Sequence, residues 1–233
     1  MRRLFCLFLF LVLAVQCPAP IVITQRPVRF WSGGGGGISL LTNIAAQSVN
    51  GSSVTTGSAN TTGATLLVVA VSYYGFGTFT NMTDSKGNTW TPLTPIADGA
   101  AVCALRLFWC VPTSVGSGHT FSSTGTGYYP SIYMTAFTGT NVSPYDQQSG
   151  ATATQPGSLT PAGANSLFVT AASSQTITTY TVNSGFTISD QQPGAGSLAI
   201  GGGMAYVIQS GGPSALNPTW TTVDTTAMAV FKP

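Results

Sequence analysis

TLLVVAVS, residues Thr65 to Ser72, and SLFVTAAS, residues Ser166 to Ser173, decide how this chain is read. Each is nearly continuous in apolar or small residues. Each is too short for a buried helix, and the first is rich in valine. The first, an apolar run of this length without alternation, reads as a strand covered on both faces, and the second reads as a strand that echoes it.

Working outward, Asn81 to Thr91 reads as a hairpin around Lys86-Gly87-Asn88, where glycine supplies a positive φ. Ala101 to Val111, His119 to Phe121, Ser131 to Phe137, Phe186 to Asp190, Met204 to Gln209, Thr219 to Val223 and Thr225 to Lys232 read as further strands. No stretch carries a sustained 3.6-residue period with caps. Many short strands with Gly and Pro turns predict an all-β fold, an antiparallel β-sandwich of jelly-roll-like type. The two opening runs lie about 100 residues apart, and HTF at His119 is echoed by PTW at Pro218, MTAF at Met134 by MAVF at Met228. The order is kept, which predicts two interleaved four-strand units in one double sheet.

The chain has seven Lys or Arg, five Asp and no Glu among 233 residues. An ordinary domain is about one-quarter charged; here the share is 5%. The cations are scattered, so the phosphate-neutralising clusters of a nucleic-acid binder are missing from the sequence. Acid–base catalysis and metal binding draw on the same scarce groups. No nucleophile elbow, P-loop, zincin or paired-cysteine motif is present. Asp84-Ser85-Lys86-Gly87-Asn88 has the look of a calcium loop but no closing Glu, and reads as a tight turn. His119, the one histidine, reads as structural. The expectation is therefore a non-enzyme with no catalytic residue, no metal and no cofactor.

Met1-Arg2-Arg3 followed by Leu4 to Val15 has the form of a signal peptide, too short for a membrane span. Residues 1–17 are read as that leader, 18–37 as an extended arm ending in a glycine hinge, and 38–233 as a single β-sandwich domain. Within the arm, Ile21, Val22, Ile23, Phe30 and Trp31 are candidates to dock on a neighbouring copy; a plain linker is the other reading, since Pro27 interrupts the strand pattern. Cys103 and Cys110 lie an odd number of residues apart in one strand, on opposite faces, so no disulfide is expected between them. Tyr73, Tyr74, Tyr128 and Tyr129 form aromatic clusters at strand ends, which stack on sugars or pack on the core rim.

LLVVAVSYYG, MTDSKGNTWTPL, LRLFWCV, GHTFSS, YPSIYMTAFTG and AMAVFKP together resemble a β-sandwich module of bacterial exported and surface proteins and of phage structural proteins. The likeness runs from about Ser39 to Pro233. It implies a jelly-roll-like fold in a surface or virion setting and carries no catalytic residue. The functional expectation is a secreted or cell-surface structural protein that self-assembles into a filament or layer, or is adhesive. The alternatives are a phage decoration or fibre protein at the virion surface, and a carbohydrate-binding module. Its expected partners are copies of itself and glycans, with no nucleic acid and no stable membrane span.

Overall fold

The computed structural model describes residues 37–49, 51–75, 81–99, 103–125, 128–176, 179–195 and 200–233. The leader and almost all of the arm, with Ile21, Val22, Ile23, Phe30 and Trp31, lie outside the described residues. Those described belong to one compact unit, Gly35–Pro233.

In chain order the strands are β1 (Ser39–Gln47), β2 (Ser53–Thr55), β3 (Leu66–Tyr74), β4 (Asn81–Asp84), β5 (Thr91–Pro92), β6 (Ile96–Ala97) and β7 (Ala104–Cys110). They continue as β8 (Phe121–Thr124), β9 (Tyr128–Thr138), β10 (Tyr145–Ala151), β11 (Leu167–Ser174), β12 (Thr187–Ala195), β13 (Ile200–Ile208) and β14 (Thr225–Phe231). A six-stranded sheet runs β1-β9-β3-β7-β5, with β6 also on β7; a five-stranded sheet runs β10-β14-β11-β13-β12; a three-stranded sheet runs β2-β8-β4. Every pairing among them is antiparallel. The protein is an all-β antiparallel sandwich, as the sequence predicts.

The strand period of two explains the layering. Leu66, Val68 and Ala70 of β3 meet Leu167, Val169 and Ala171 of β11 in the core between the two larger sheets. Leu67, Val69 and Val71 point the other way, onto Val54, Met82 and Phe121 of the three-stranded sheet. Behind β11, Phe168 and Ala172 pack under Tyr180, Phe186 and Trp220 from the loops. All residues of β3 from Leu66 to Tyr73 and all of β11 are buried. Burying one such aliphatic side chain stabilises by about 1.5–3 kcal/mol, so the central strands hold both sheets.

The repeated sequence is a repeated structure. β3 and β11 each sit third in their five-strand path, and β9 and β14, which carry MTAF and MAVF, each sit second. Leu66 pairs with Phe137 as Leu167 pairs with Phe231. Both edge strands, β1 and β10, shift register at their starts, at Leu40/Thr42 and Tyr145/Gln147. The bridge Ala59–His119 has its counterpart in Leu159–Leu216, and the Asp84–Phe121 pairing in Val182–Trp220. The halves are not interleaved, however. β1 to β9 build the six- and three-stranded sheets and β10 to β14 build the five-stranded one. Strands that are near in sequence stay in one sheet, and the duplication is met across the sandwich.

The hairpin read at Asn81 to Thr91 is also corrected. β4 pairs with β8 and β5 with β7, so its two arms enter different sheets. The turn is real, with Gly87 at φ +74°, but the chain leaves it towards another layer. Thr219 to Val223 makes one bridge rather than a strand.

Amide side chains tie the sheet edges together. Asn43 on β1 donates to the Ser189 carbonyl at 2.7 Å and to Asp190 Oδ2 at 3.2 Å, and Gln47 donates to the Ile200 carbonyl at 2.6 Å. At the opposite edge Gln148 on β10 accepts from Thr94 N at 3.0 Å and donates to Thr94 Oγ1. Asn43 and Gln148 occupy equivalent places, pairing with Thr135 and Ala229. The three glycines Gly201, Gly202 and Gly203 belong to β13. A Cβ on Gly202 would lie 2.2 Å from the Ala172 carbonyl oxygen, so the close approach of β11 demands glycine there.

Candidate functional site

Asp84 ends β4 and opens the turn that separates two layers. Its Oδ1 accepts from Lys86 N at 2.7 Å and from the Asn88 side-chain amide at 3.3 Å. Its Oδ2 accepts from the Trp90 indole N–H at 2.7 Å. His119 Nε2 stands 3.0 Å from Asp84 Oδ1, with both side chains fully buried. The other ring nitrogen of His119, Nδ1, is 2.8 Å from Thr61 Oγ1, and the imidazole stacks on Phe121 at 4.3 Å between centroids. Burial alone would raise the Asp84 pKa, but the bonds from Trp90, His119, Lys86 and Asn88 outweigh it and hold the carboxyl below its ordinary value. Asn88 extends the network, its Oδ1 accepting from Thr113 N and Ser114 N at 2.9 and 3.0 Å.

A hydroxyl, an imidazole and a carboxylate in line have the order of a nucleophilic triad. Thr61 and His119 are fully buried, and the Thr61 hydroxyl also accepts from Gly116 N at 3.1 Å. The arrangement orients the imidazole and the turn; it offers no exposed oxygen to a substrate.

The duplication gives this network an internal comparison. The second half has Val182 where the first has Asp84, and the echo of HTF in PTW sets Pro218 where the first has His119. Val182 packs against the apolar cluster behind β11. The architecture therefore stands without the pair, in keeping with the general finding that apolar residues can replace buried charged groups at no loss. What the first half gains is a fixed Trp90. Its N–H is held by Asp84 and its ring meets Phe121 edge-on at 6.1 Å.

Trp90 is half-buried and lines a surface groove of about 310 Å³ together with Asn81, Met82, Thr83, Pro92, Arg106 and Phe108. Met82 and Phe108 form the apolar floor and Asn81 and Thr83 the exposed polar rim. Arg106 donates from Nε to the Leu93 carbonyl at 2.8 Å, with its guanidinium carbon 5.3 Å from the Phe108 ring centroid. The groove thus offers one oriented indole, one guanidinium and short polar side chains, which suits a ring-shaped polar ligand.

The tyrosines singled out in the sequence fall elsewhere. Tyr73 is 1% exposed, packed in the core beneath the three-stranded sheet. Tyr74 and Tyr129 are half-buried at the end of β3 and the start of β9, where Tyr74 pairs with Tyr128. The Tyr128 side chain is outside the described residues. Tyr129 takes a left-handed φ of +54°, unusual for an aromatic residue. Trp90 lies in a stretch that reads as a hairpin arm, and sequence reasoning does not single it out. Cys103, just before β7, and Cys110, its last residue, are both buried free thiols, the first against Asp224 and the second in the cluster under the three-stranded sheet, and burial pushes the Cys110 thiol up to about 12. Among the described residues no group of three or more His, Cys, Asp or Glu could hold a metal ion, and no helix is long and apolar enough to cross a membrane.

The class that fold and site define is an antiparallel β-sandwich of duplicated halves with an aromatic groove on one. Comparisons with protein-family models, curated proteins and solved structures return no match.

Proposed function

We propose that this is a non-catalytic exported surface protein of adhesive type, and that its binding face is the Trp90–Arg106 groove. The observation that carries the reading is the bond from the Trp90 indole to Asp84, a buried carboxylate that the other half of the molecule does without. The scarce acid and imidazole are spent on holding an aromatic ring rather than on chemistry. A pyranose face stacking on Trp90, with its hydroxyls at Asn81, Thr83 and Arg106, fits the residues present. The test is a glycan array with the full chain and its Trp90→Ala variant. Binding by the parent that the variant loses supports the reading; no binding by the parent, or equal binding by both, overturns it.

Assembly with copies of itself is a second reading. It is favoured by β1, an edge strand that exposes Leu41 at 39%, with Val49 at 53% just beyond it. Exposed edges recruit further strands. Sedimentation of the chain with residues 18–37 present should then show concentration-dependent growth that Leu41→Lys suppresses. A monomer at all concentrations rules this reading out.

A further inference from the structure

The core between the two larger sheets is apolar along most of its length and changes character at one end. The period of two that places Leu66, Val68 and Ala70 inward also places Ser72 inward. By the same rule Tyr133 and Ser131 of β9 share a face with Phe137, and Ser173 of β11 and Thr225 of β14 share faces with Ala171 and Ala227. Ser72 pairs with Ser131 across β3 and β9, and Ser173 pairs with Thr225 across β11 and β14. Ser72 and Ser173 close the two echoed runs, so the four hydroxyls are two equivalent pairs, one from each half. Gly202, opposite Ser173, is closely packed: a Cβ there would be 3.3 Å from the Tyr133 hydroxyl and 2.2 Å from the Ala172 carbonyl oxygen, so the glycine brings that hydroxyl close to the Ser173 pair.

All five of these residues are fully buried, and none of their hydroxyls closes a hydrogen bond of good geometry with another protein group, the Ser173 hydroxyl standing beside the Cys103 thiol. The Ser72 and Ser131 hydroxyls flank the Tyr133 phenol without closing a bond of good geometry. A hydroxyl buried without a partner is costly, and five together in one place would be a heavy burden on a marginally stable fold. The groups are neutral and each can both donate and accept, which matches water rather than an ion. The nearby carboxylate of Asp224 is already engaged, accepting at Oδ2 from Gln175 N at 2.9 Å and from the Cys103 thiol at 3.4 Å.

We propose that Ser72, Ser131, Tyr133, Ser173 and Thr225 form an internal hydration site, in which ordered water bridges the two sheets at one end of the sandwich. It is a binding site for a small neutral donor–acceptor, built by the duplication and sealed from solvent.

Two measurements test this. A crystal structure of the full chain grown in rubidium chloride should show density at roughly 2.7–3.2 Å from at least three of the hydroxyls and no rubidium anomalous signal there. Ser131→Ala and Thr225→Val should each lower the folding equilibrium constant by roughly tenfold, since each removes a partner of a satisfied water. An empty space, a rubidium peak, or variants as stable as the parent or more stable would each overturn the proposal.

Discussion

His119 Nε2 and Asp84 Oδ1 lie 3.0 Å apart with neither side chain exposed, while the corresponding places in the other half of the sandwich hold Pro218 and Val182. The molecule thus holds both an ionisable and an apolar solution to one structural position. Removing one member of the pair should differ sharply from removing both. Asp84→Val alone should destabilise by roughly 3 kcal/mol, since several donors lose their acceptor. Asp84→Val with His119→Leu should cost less than the sum of the two single variants, with a coupling of about 1–3 kcal/mol. Urea unfolding of the four proteins measures it; strict additivity would show that the two residues act independently.

Stability should fall in acid because of the same carboxylate. The folded pKa of Asp84 is held below its ordinary value of 3.8. Its contribution is therefore fully present above that value and is lost as the pH falls through the lower, folded one. The urea midpoint of the parent should drop as the pH is taken below about 4, and Asp84→Asn should drop less steeply over the same range. Parallel profiles for the two proteins would contradict this.

Glycines that look alike in the sequence should respond differently to alanine. At Gly202 the added Cβ meets the Ala172 carbonyl oxygen at 2.2 Å, a backbone atom inside the β11–β13 pairing. Gly202→Ala should cost roughly 3 kcal/mol or more. At Gly212 nothing lies within 4 Å of the added carbon, so Gly212→Ala should be neutral or stabilise by up to about 1 kcal/mol. Thermal unfolding midpoints of the two variants are the readout.

The edge clamps should behave as independent, equivalent parts. Asn43→Ala and Gln148→Ala each remove an amide that ties one sheet edge to the other sheet, and each should cost about 0.5–1.5 kcal/mol. They sit at opposite edges, so the double variant should show the sum within about 0.5 kcal/mol. Denaturant titrations of both single variants and the double variant decide it.

The sandwich was legible because a strand buried on both faces leaves an unmistakable mark, an apolar run without alternation, and Leu66 to Tyr73 carries it. The duplication was legible too, since the echoed segments became the second and third strands of each five-strand path. The segregation of the halves was not, because pairing partners are chosen by tertiary contact and a strand looks the same in either sheet. The turn at Lys86 to Asn88 was visible from its glycine, but not that its arms diverge, since β4 and β5 take their partners, β8 and β7, from distant parts of the chain. The tyrosines misled for a related reason. Tyr73 stands at a strand end, where exposure is common, yet the three-stranded sheet covers it, and that third layer left no separate trace in the sequence.

The allotment of one contiguous stretch of chain to each large sheet has a consequence for how the protein comes into being. While only β1 to β9 have been synthesised, Leu66, Val68, Tyr133 and Phe137 have no opposing surface. The second sheet cannot supply one until β14 inserts between β10 and β11, and β14 follows both in the chain. Folding is therefore decided late, by long-range pairing, and the nascent first half passes through a period in which its sticky inner face must be shielded or kept unfolded.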